Sequence, residues 1–177
     1  FTLGDLAQRR QETLRALAHL YRQTQSWEEL SDTLRRLLEA GQMGEGLTEL
    51  EMIELYGQLG QIEGEMLGRT NEAVDAWRRV LALEPGHFDA LSALESLFTR
   101  EARWEDCIEV LERRAAVLED QQMVLDTLLQ AGSIWEEKVA DLHKAGQIYE
   151  RVRSVEPSNM VASGQLEGIY RQQGNWE

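Results

Sequence analysis

The chain is short of several residue types, and each shortage narrows what it can be. Only two of its 177 residues are proline and only one is cysteine. A single cysteine excludes an internal disulfide framework. No apolar run is long enough to span a bilayer, and the alternating β-branched pattern of strands is absent. The first residues do not follow the pattern of a signal peptide, so we expect none.

Basic side chains are outnumbered by acidic ones. The chain has 18 Lys and Arg against 32 Asp and Glu, a formal net charge of −14. A negatively charged protein repels the phosphate backbone of nucleic acids. Binding to that backbone requires Lys and Arg side chains that neutralise it. We therefore predict no nucleic-acid partner, and we predict no membrane association.

Residue patterns that carry catalysis or bind metals are also missing. The three histidines, His19, His87 and His143, have no metal-ligand spacing. No nucleophile motif, phosphate-cradling glycine loop or zinc pattern occurs. We predict that the chain is not an enzyme and holds no cofactor or metal. Cys107 stands in an apolar pattern, so we interpret it as a buried core residue rather than a reactive thiol.

The clearest positive feature is a repeat centred on residues 71–107. Ala73 and Trp77 begin the apolar stripe of a helix that ends before Pro85, and a second helix follows. The first pattern then restarts at Cys107, so the period is 107 − 73 = 34 residues. A fixed period of this length is typical of a helix–turn–helix repeat.

The small residue and the large one a turn later recur along the chain, as Ala73 with Trp77, Cys107 with Leu111 and Ala145 with Tyr149. Pro157 stands where Pro85 does, and a partial Leu-Gly pattern occurs at Leu59-Gly60. This arrangement resembles the tetratricopeptide (TPR) repeat of tandem bacterial proteins over almost the whole chain. The resemblance implies an all-α fold, a right-handed α-solenoid of antiparallel helix hairpins in a TPR-like superhelix of about four and a half repeats.

On this basis we predict one TPR-like solenoid over residues 1–177. Its hairpins are 5–40, 47–83, 87–118, 121–155 and an incomplete 158–177. The pattern begins and ends inside a repeat, so we expect a fragment of a longer polypeptide. We expect Leu166, Ile169 and Tyr170 of the last helix to be exposed or covered by another molecule, because Asn175-Trp176-Glu177 only begins the partner helix. Self-association through this hairpin is an open alternative.

Two hairpin types alternate. Trp27, Trp104 and Trp176 open equivalent helices of the first type. In the second type, Gly60 to Ala73 spans 73 − 60 = 13 residues, and residues 132 to 145 span the same, one more than the usual family value. We interpret this as one extra residue in the turn.

Two helix starts carry the capping-box pattern, in which a hydroxyl and a carboxylate satisfy each other's backbone N–H groups. They are Ser26 with Glu29 and Thr48 with Glu51. Both are expected to fix the first turn of the helix that follows.

Four arginines recur at one place on the second helices of successive hairpins: Arg36, Arg79, Arg113 and Arg151. Three of them have an acidic residue four positions earlier, a spacing that allows an ion pair on one helix face. We interpret the face as solvated, with a basic binding ridge as the alternative.

The resemblance implies a concave wall, lined by the first helix of each hairpin, on which a peptide or protein binds. The residues predicted to face it are Arg15, His19, Arg22, Gln58, Gln61, Asp89, Ser92, Ser96, Arg100, Gln130, Ser133, Glu137 and Arg171. The wall lacks the Lys and Asn set of the chaperone-tail carboxylate clamp of this family. A polar, extended peptide fits it better, and a purely structural spacer would present the same wall.

The function predicted from the sequence is therefore a protein–protein interaction scaffold within a longer chain. The alternatives are an RNA-binding helical repeat resembling the pentatricopeptide type, or a non-catalytic segment of a larger enzyme or regulator. The identity of the protein or peptide partner stays open. A cytoplasmic location is the working expectation.

Overall fold

The computed structural model describes residues 3–43 and 46–174, which are helical throughout apart from the connecting turns and contain no strand. The α-helices in these ranges are α1 Leu3–Gln23, α2 Trp27–Gln42, α3 Glu49–Gln61, α4 Thr70–Leu83, α5 Phe88–Arg100, α6 Trp104–Val117, α7 Gln121–Ile134, α8 Leu142–Val155 and α9 Met160–Gln173. The predicted all-α repeat fold is confirmed. The predicted helix start at Asn175-Trp176-Glu177 lies outside the described residues.

The chain divides into two compact units, Phe1–Ala90 and Leu91–Glu177. In the first unit α1 packs on α2, α2 on α3 and α3 on α4; in the second, α6 packs on α7, α7 on α8 and α8 on α9. Each unit is thus held by helices that bury their apolar faces on their chain neighbours, because one hairpin cannot cover its own. A single solenoid over all 177 residues stays a prediction.

The apolar stripes follow the helical period. In α2, Leu30, Leu34 and Leu37 lie on one face and are buried. In α6, Cys107 and Leu111 occupy corresponding places and are fully buried, which confirms the prediction that Cys107 is a core residue. Burial raises the pKa of the Cys107 thiol. The group therefore stays protonated and unreactive in the folded chain.

Two helices of the described chain end in a π-helical segment. Ile62–Met66 continues α3, and Trp135–Val139 continues α7. These are the two hairpins in which the sequence has one residue more than the family pattern. A π-helix closes its hydrogen bonds one residue further along than an α-helix, as the Leu67 N–H does by donating to the Ile62 carbonyl at 3.0 Å. The segment therefore absorbs an extra residue without losing backbone hydrogen bonds.

The number of residues between the small repeat residue of a hairpin's first helix and the left-handed residue after that helix shows where the extra residue lies. In the first hairpin type, Ala18 to Gln25 (φ 55°) spans 25 − 18 = 7 residues. In the second type, Gly60 to Gly68 (φ 66°) spans 68 − 60 = 8. Both left-handed residues stand two positions before the next helix begins. The prediction that the extra residue lies in the turn is wrong, because the helix end takes it up.

One of the two predicted capping boxes forms. Thr48 accepts from the Glu51 N–H at 3.2 Å, and Glu51 accepts from the Thr48 N–H at 2.9 Å. Ser26 makes no capping hydrogen bond to α2, so the prediction for Ser26 and Glu29 is wrong. The backbone of Ser26 follows the left-handed Gln25, and its hydroxyl lies 3.0 Å from that of Thr24 instead.

Two glycines allow close contact between the helices of the second hairpin type. A Cβ placed on Gly60 would lie 2.7 Å from the Trp77 ring, and one on Gly132 would lie 2.6 Å from the Tyr149 ring. The Tyr149 hydroxyl donates to Glu136 at 2.9 Å. Burial first, and this bond second, raise the pKa of Tyr149, so the phenol remains a donor.

We expect Gly132→Ala to lower the free energy of unfolding by about 1–3 kcal/mol, because the added methyl group overpacks against Tyr149. Gly164→Ala is the matched control, since Gly164 is also inside a helix but a Cβ there has nothing within 4 Å. That control should gain up to about 1 kcal/mol from helix propensity. Urea unfolding followed by circular dichroism measures both. Equal effects of the two substitutions would show that Gly132 is not a packing site.

The last helix is better covered than the sequence suggests. Leu166 and Ile169 are only 1% and 2% exposed, and they pack against α8, where a Cβ added to Gly146 would lie 4.0 Å from each of them. The expected exposure is therefore wrong at these two residues. Tyr170 is 39% exposed, and its hydroxyl donates to Glu150 at 2.5 Å. Self-association through this end of the chain stays a prediction.

Candidate functional site

In the first unit, α1 and α3 lie side by side and run in the same direction. Arg15 forms an ion pair with Glu51 at 2.7 Å, and Arg22 donates to the Gln58 amide oxygen at 2.5 Å. Both links join residues 36 positions apart, so one helix follows the other in parallel. The surface between the two helices contains four of the predicted wall residues, Arg15, Arg22, Gln58 and Gln61.

A pocket of about 340 Å³ opens at the C-terminal end of this surface. Its lining includes the predicted residues Arg22, Gln58 and Gln61 together with Trp27, Ile62 and Met66. The last three were not predicted. Trp27 opens α2, and Ile62 and Met66 belong to the π-helical segment, so the altered helix end brings apolar side chains to a wall expected to be polar.

A smaller pocket of about 140 Å³ lies one to two turns earlier along the same helices. It is lined by Arg15, Glu51, Glu54, Leu55 and Gln58. Gln58 lines both pockets, so they adjoin, and together they are called the α1–α3 groove below. The Thr48 backbone N–H, and after it the Arg15 guanidinium, lower the pKa of Glu51 to about 2. Glu51 therefore stays ionised at neutral pH and remains paired with Arg15.

His19 and Asp89, the other wall residues predicted in the first unit, line neither of these two pockets. His19 is exposed and its Nε2 lies 3.0 Å from the side-chain nitrogen of Gln23. Asp89 is exposed in the first turn of α5. The structure thus assembles only part of the predicted wall.

The wall residues predicted in the second unit are mostly engaged by their own neighbours. Arg114 donates to Ser92 at 3.4 Å and forms an ion pair with Glu95 at 2.6 Å. Gln130 donates to the same Glu95 at 2.9 Å. Ser96 is exposed. The remaining contacts are Ser133 with Glu137 at 3.3 Å, Arg100 with Glu101 at 3.6 Å and Arg171 with Glu167 at 2.6 Å.

A buried carboxylate lies directly behind the groove. Glu63, next to the groove residue Ile62, has no solvent exposure. One oxygen accepts from Ser31 and from Arg35, the latter at 2.8 Å. The other has no hydrogen-bond partner and only the charge of Arg69 at 3.5 Å. Sequence reasoning missed this residue, although the corresponding positions three residues after Ala18, Glu95 and Gly132 hold the aromatics Tyr21, Phe98 and Trp135.

Two further pockets lie outside the groove. One of about 240 Å³ is lined by residues of α2, α3 and α4, including Arg35 and Arg79, and one of about 530 Å³ is lined by residues of α8 and α9. Of the ion pairs predicted between the recurring arginines and the acids four positions earlier, Arg113 with Glu109 at 3.9 Å forms. Arg36 and Arg79 pair with no acid among the described residues, so the prediction is wrong there.

Residues 3–43 and 46–174 contain no group of three or more His, Cys, Asp and Glu side chains arranged to hold a metal ion. The three histidines stand apart: His19 and His143 are exposed, and His87 Nδ1 accepts from the Ala90 N–H at 3.3 Å. In the same ranges, no helix has the length and apolar character to cross a membrane.

Comparison with known proteins agrees with the repeat. Residues 13–45 and 90–122 each match the family model described as tetratricopeptide repeat. A crystal structure of MamA protein superposes with a TM-score of 0.53 at 17% identity, covering 94% of this chain and 84% of that one. MamA 41-end from Desulfovibrio magneticus RS-1 gives 0.51 at 17% identity, covering 94% and 86%. No curated protein matches in sequence. At these identities the likeness shows the fold alone.

Proposed function

Because the chain carries tetratricopeptide repeats, we propose that it is a protein-interaction scaffold that binds an extended peptide segment of a partner protein in the α1–α3 groove. The observation that carries the proposal is the groove itself, two pockets joined at Gln58 between parallel helices. The pockets of ligand sites combine apolar walls with a few polar groups, and this groove has both.

The groove favours a peptide over other ligands because of its shape and polar groups. Its two adjoining pockets follow one another along two parallel helices, an arrangement that suits an extended chain more than a compact small molecule. Gln58 lies where the two pockets meet and Arg22 lies in the larger one, and both provide donors for peptide carbonyl groups. A nucleic-acid backbone would meet the Glu51 and Glu54 carboxylates at one end, which disfavours the RNA-binding alternative.

A groove-filling substitution tests the proposal. Gln58→Trp is expected to abolish most peptide binding, because Gln58 is common to both pockets and a tryptophan there occupies the space between them. Peptides from a random displayed library are selected on the wild-type chain and then measured on the variants. Selected peptides should lose about tenfold or more in affinity on Gln58→Trp, as expected for loss of about 1.4 kcal/mol.

Gln121→Trp is the matched control, since Gln121 is exposed at the start of α7 and lines neither groove pocket. It should leave the affinities unchanged. Circular dichroism spectra must show that both variants are folded. Peptides that bind Gln58→Trp as well as they bind the wild-type chain would contradict a role for the groove.

A further inference from the structure

The two ends of the α1–α3 groove differ in chemistry. The end between the first turns of α3 and the middle of α1 carries Glu51, Glu54 and Arg15. Arg15 is neutralised by Glu51 at 2.7 Å. Glu54 is exposed and has no hydrogen-bond or ion-pair partner among the described residues. This end therefore presents one carboxylate whose charge nothing nearby offsets.

The other end is apolar. Trp27, Ile62 and Met66 line it, and Met66 is 47% exposed although its side chain is apolar. The polar groups there are Gln61, which donates to Glu65 at 3.3 Å, and Arg22, which donates to Gln58. A large apolar side chain of a ligand would bury the exposed parts of Trp27 and Met66, and burial of apolar surface favours binding.

The distance between the two ends fixes the spacing of the groups that a ligand must carry. Glu54 and Gln61 are 61 − 54 = 7 residues apart on continuous helix. At 1.5 Å per residue this is about 10 Å. An extended peptide advances about 3.3 Å per residue, so the two ends lie about three peptide residues apart.

We propose that the α1–α3 groove selects an extended peptide in which a lysine or arginine stands about three residues from a large apolar side chain. The basic group pairs with Glu54, and the apolar side chain enters the pocket of Trp27, Ile62 and Met66. This specificity rests on the function proposed above and adds the chemistry of the partner to it.

The charge of the whole chain supports a basic rather than an acidic peptide. A net charge of −14 attracts a cationic segment and repels an anionic one before contact is made. Of the two arginines in the groove, Arg15 is already paired with a carboxylate. Arg22 lies toward the apolar end and donates to the Gln58 amide oxygen, and its guanidinium can donate a further hydrogen bond to a peptide carbonyl.

The test uses short capped Gly/Ser peptides that carry one Lys and one Phe at the proposed spacing. Companion peptides replace Lys by Glu, replace Phe by Ser, or place Lys and Phe next to each other. Fluorescence anisotropy with the whole chain, at low and at high salt, gives the affinities. The Lys and Phe peptide at the proposed spacing should bind most tightly, and salt should weaken it more than the peptide without Lys.

Substitutions at Glu54 test whether its carboxylate determines the preference for Lys over Glu in the peptide. Glu54→Gln should reduce the preference for Lys over Glu about two- to fivefold, the effect of one exposed ion pair. Glu54→Lys should reverse the preference. Glu72→Lys is the matched control because Glu72 is also exposed, on α4, and lines the 240 Å³ pocket instead of the groove. It makes the same change in net charge and should keep the preference.

The outcomes separate this proposal from the one on which it rests. Peptides that lose binding on Gln58→Trp but show no preference for Lys, or the same preference in Glu54→Lys, overturn the basic-peptide specificity and leave the groove as the binding site. A preference that Glu72→Lys changes as much as Glu54→Lys does would also overturn it, because net charge alone would then explain the binding. Peptides that bind equally with and without Gln58→Trp overturn both proposals.

Discussion

Replacing Trp77 with alanine should lower the free energy of unfolding by about 3–5 kcal/mol, the usual cost of removing a large buried aromatic side chain. Trp77 is 9% exposed, and its ring lies over Gly57 and Gly60 of α3. Neither glycine has a side chain that could fill the space left by the ring. The cavity therefore stays open unless α3 and α4 move together, and such movement would disturb their whole interface.

Urea unfolding followed by far-ultraviolet circular dichroism measures the loss, and hydrogen exchange of α3 and α4 amides locates it in the first unit. Trp104→Ala is the control: Trp104 is an incompletely buried tryptophan at the first position of α6, with Lys138 5.8 Å from its ring centre. Its replacement should cost clearly less. A loss at Trp77 no greater than that at Trp104 would mean that the glycine–tryptophan contact does not hold the hairpin together.

The parts of the fold that were predicted correctly depend on local, periodic features. The 34-residue period and the apolar stripes predict where each helix lies, because buried apolar residues recur with the helical period. Ala73 and Trp77 were identified as the small and large residues of one repeat, and the structure buries both. Cys107 was recognised as buried because it stands at a position where the repeat requires a small residue.

The predictions were wrong where the same number of residues is compatible with two backbone geometries. A hairpin with one extra residue can lengthen its turn or change the pitch of its helix end, and the period is the same in both. The chain takes the second course at Ile62–Met66 and Trp135–Val139. At Ser26, the capping pattern is present, but the left-handed Gln25 sets a backbone in which the hydroxyl does not reach α2.

The candidate site was predicted in part for a related reason. Helical register predicts Arg15, Arg22, Gln58 and Gln61 on one surface, and the structure places them between α1 and α3. The Arg15–Glu51 and Arg22–Gln58 contacts were not predicted, because they depend on how two helices 36 residues apart in the chain are aligned. The apolar end was missed since the π-helical segment turns Ile62 and Met66 toward the groove.

The second large effect concerns Glu63, a fully buried carboxylate between two half-exposed arginines. The Arg35 and Arg69 side chains are 43% and 39% exposed, whereas Glu63 has no exposure. The cost of breaking such a cluster depends on which member is left behind. An arginine left alone keeps its contact with water, but a carboxylate left alone is a buried charge without compensation.

We therefore expect an asymmetric result. Arg35→Ala with Arg69→Ala should lower the free energy of unfolding by about 3–5 kcal/mol, because only Ser31 then faces the Glu63 carboxylate. Glu63→Met should change the free energy of unfolding by no more than about 1 kcal/mol, since a side chain of similar volume replaces the charge and both arginines stay solvated. Adding Glu63→Met to the double arginine variant should recover most of the loss.

Urea unfolding of the four chains completes this cycle, and Arg151→Ala controls for the loss of an arginine as such. Arg151 pairs with Glu112 at 2.6 Å, but both side chains are largely exposed, so its replacement should cost less than about 1 kcal/mol. If Glu63→Met destabilises the chain as much as the double arginine variant does, the cluster stabilises the π-helical segment through its ion pairs. If only the arginine variant is destabilised, and Glu63→Met rescues it, the role of the arginines is to neutralise the buried Glu63 charge. The other hairpins need no such arginines, because they have an aromatic residue at the corresponding position.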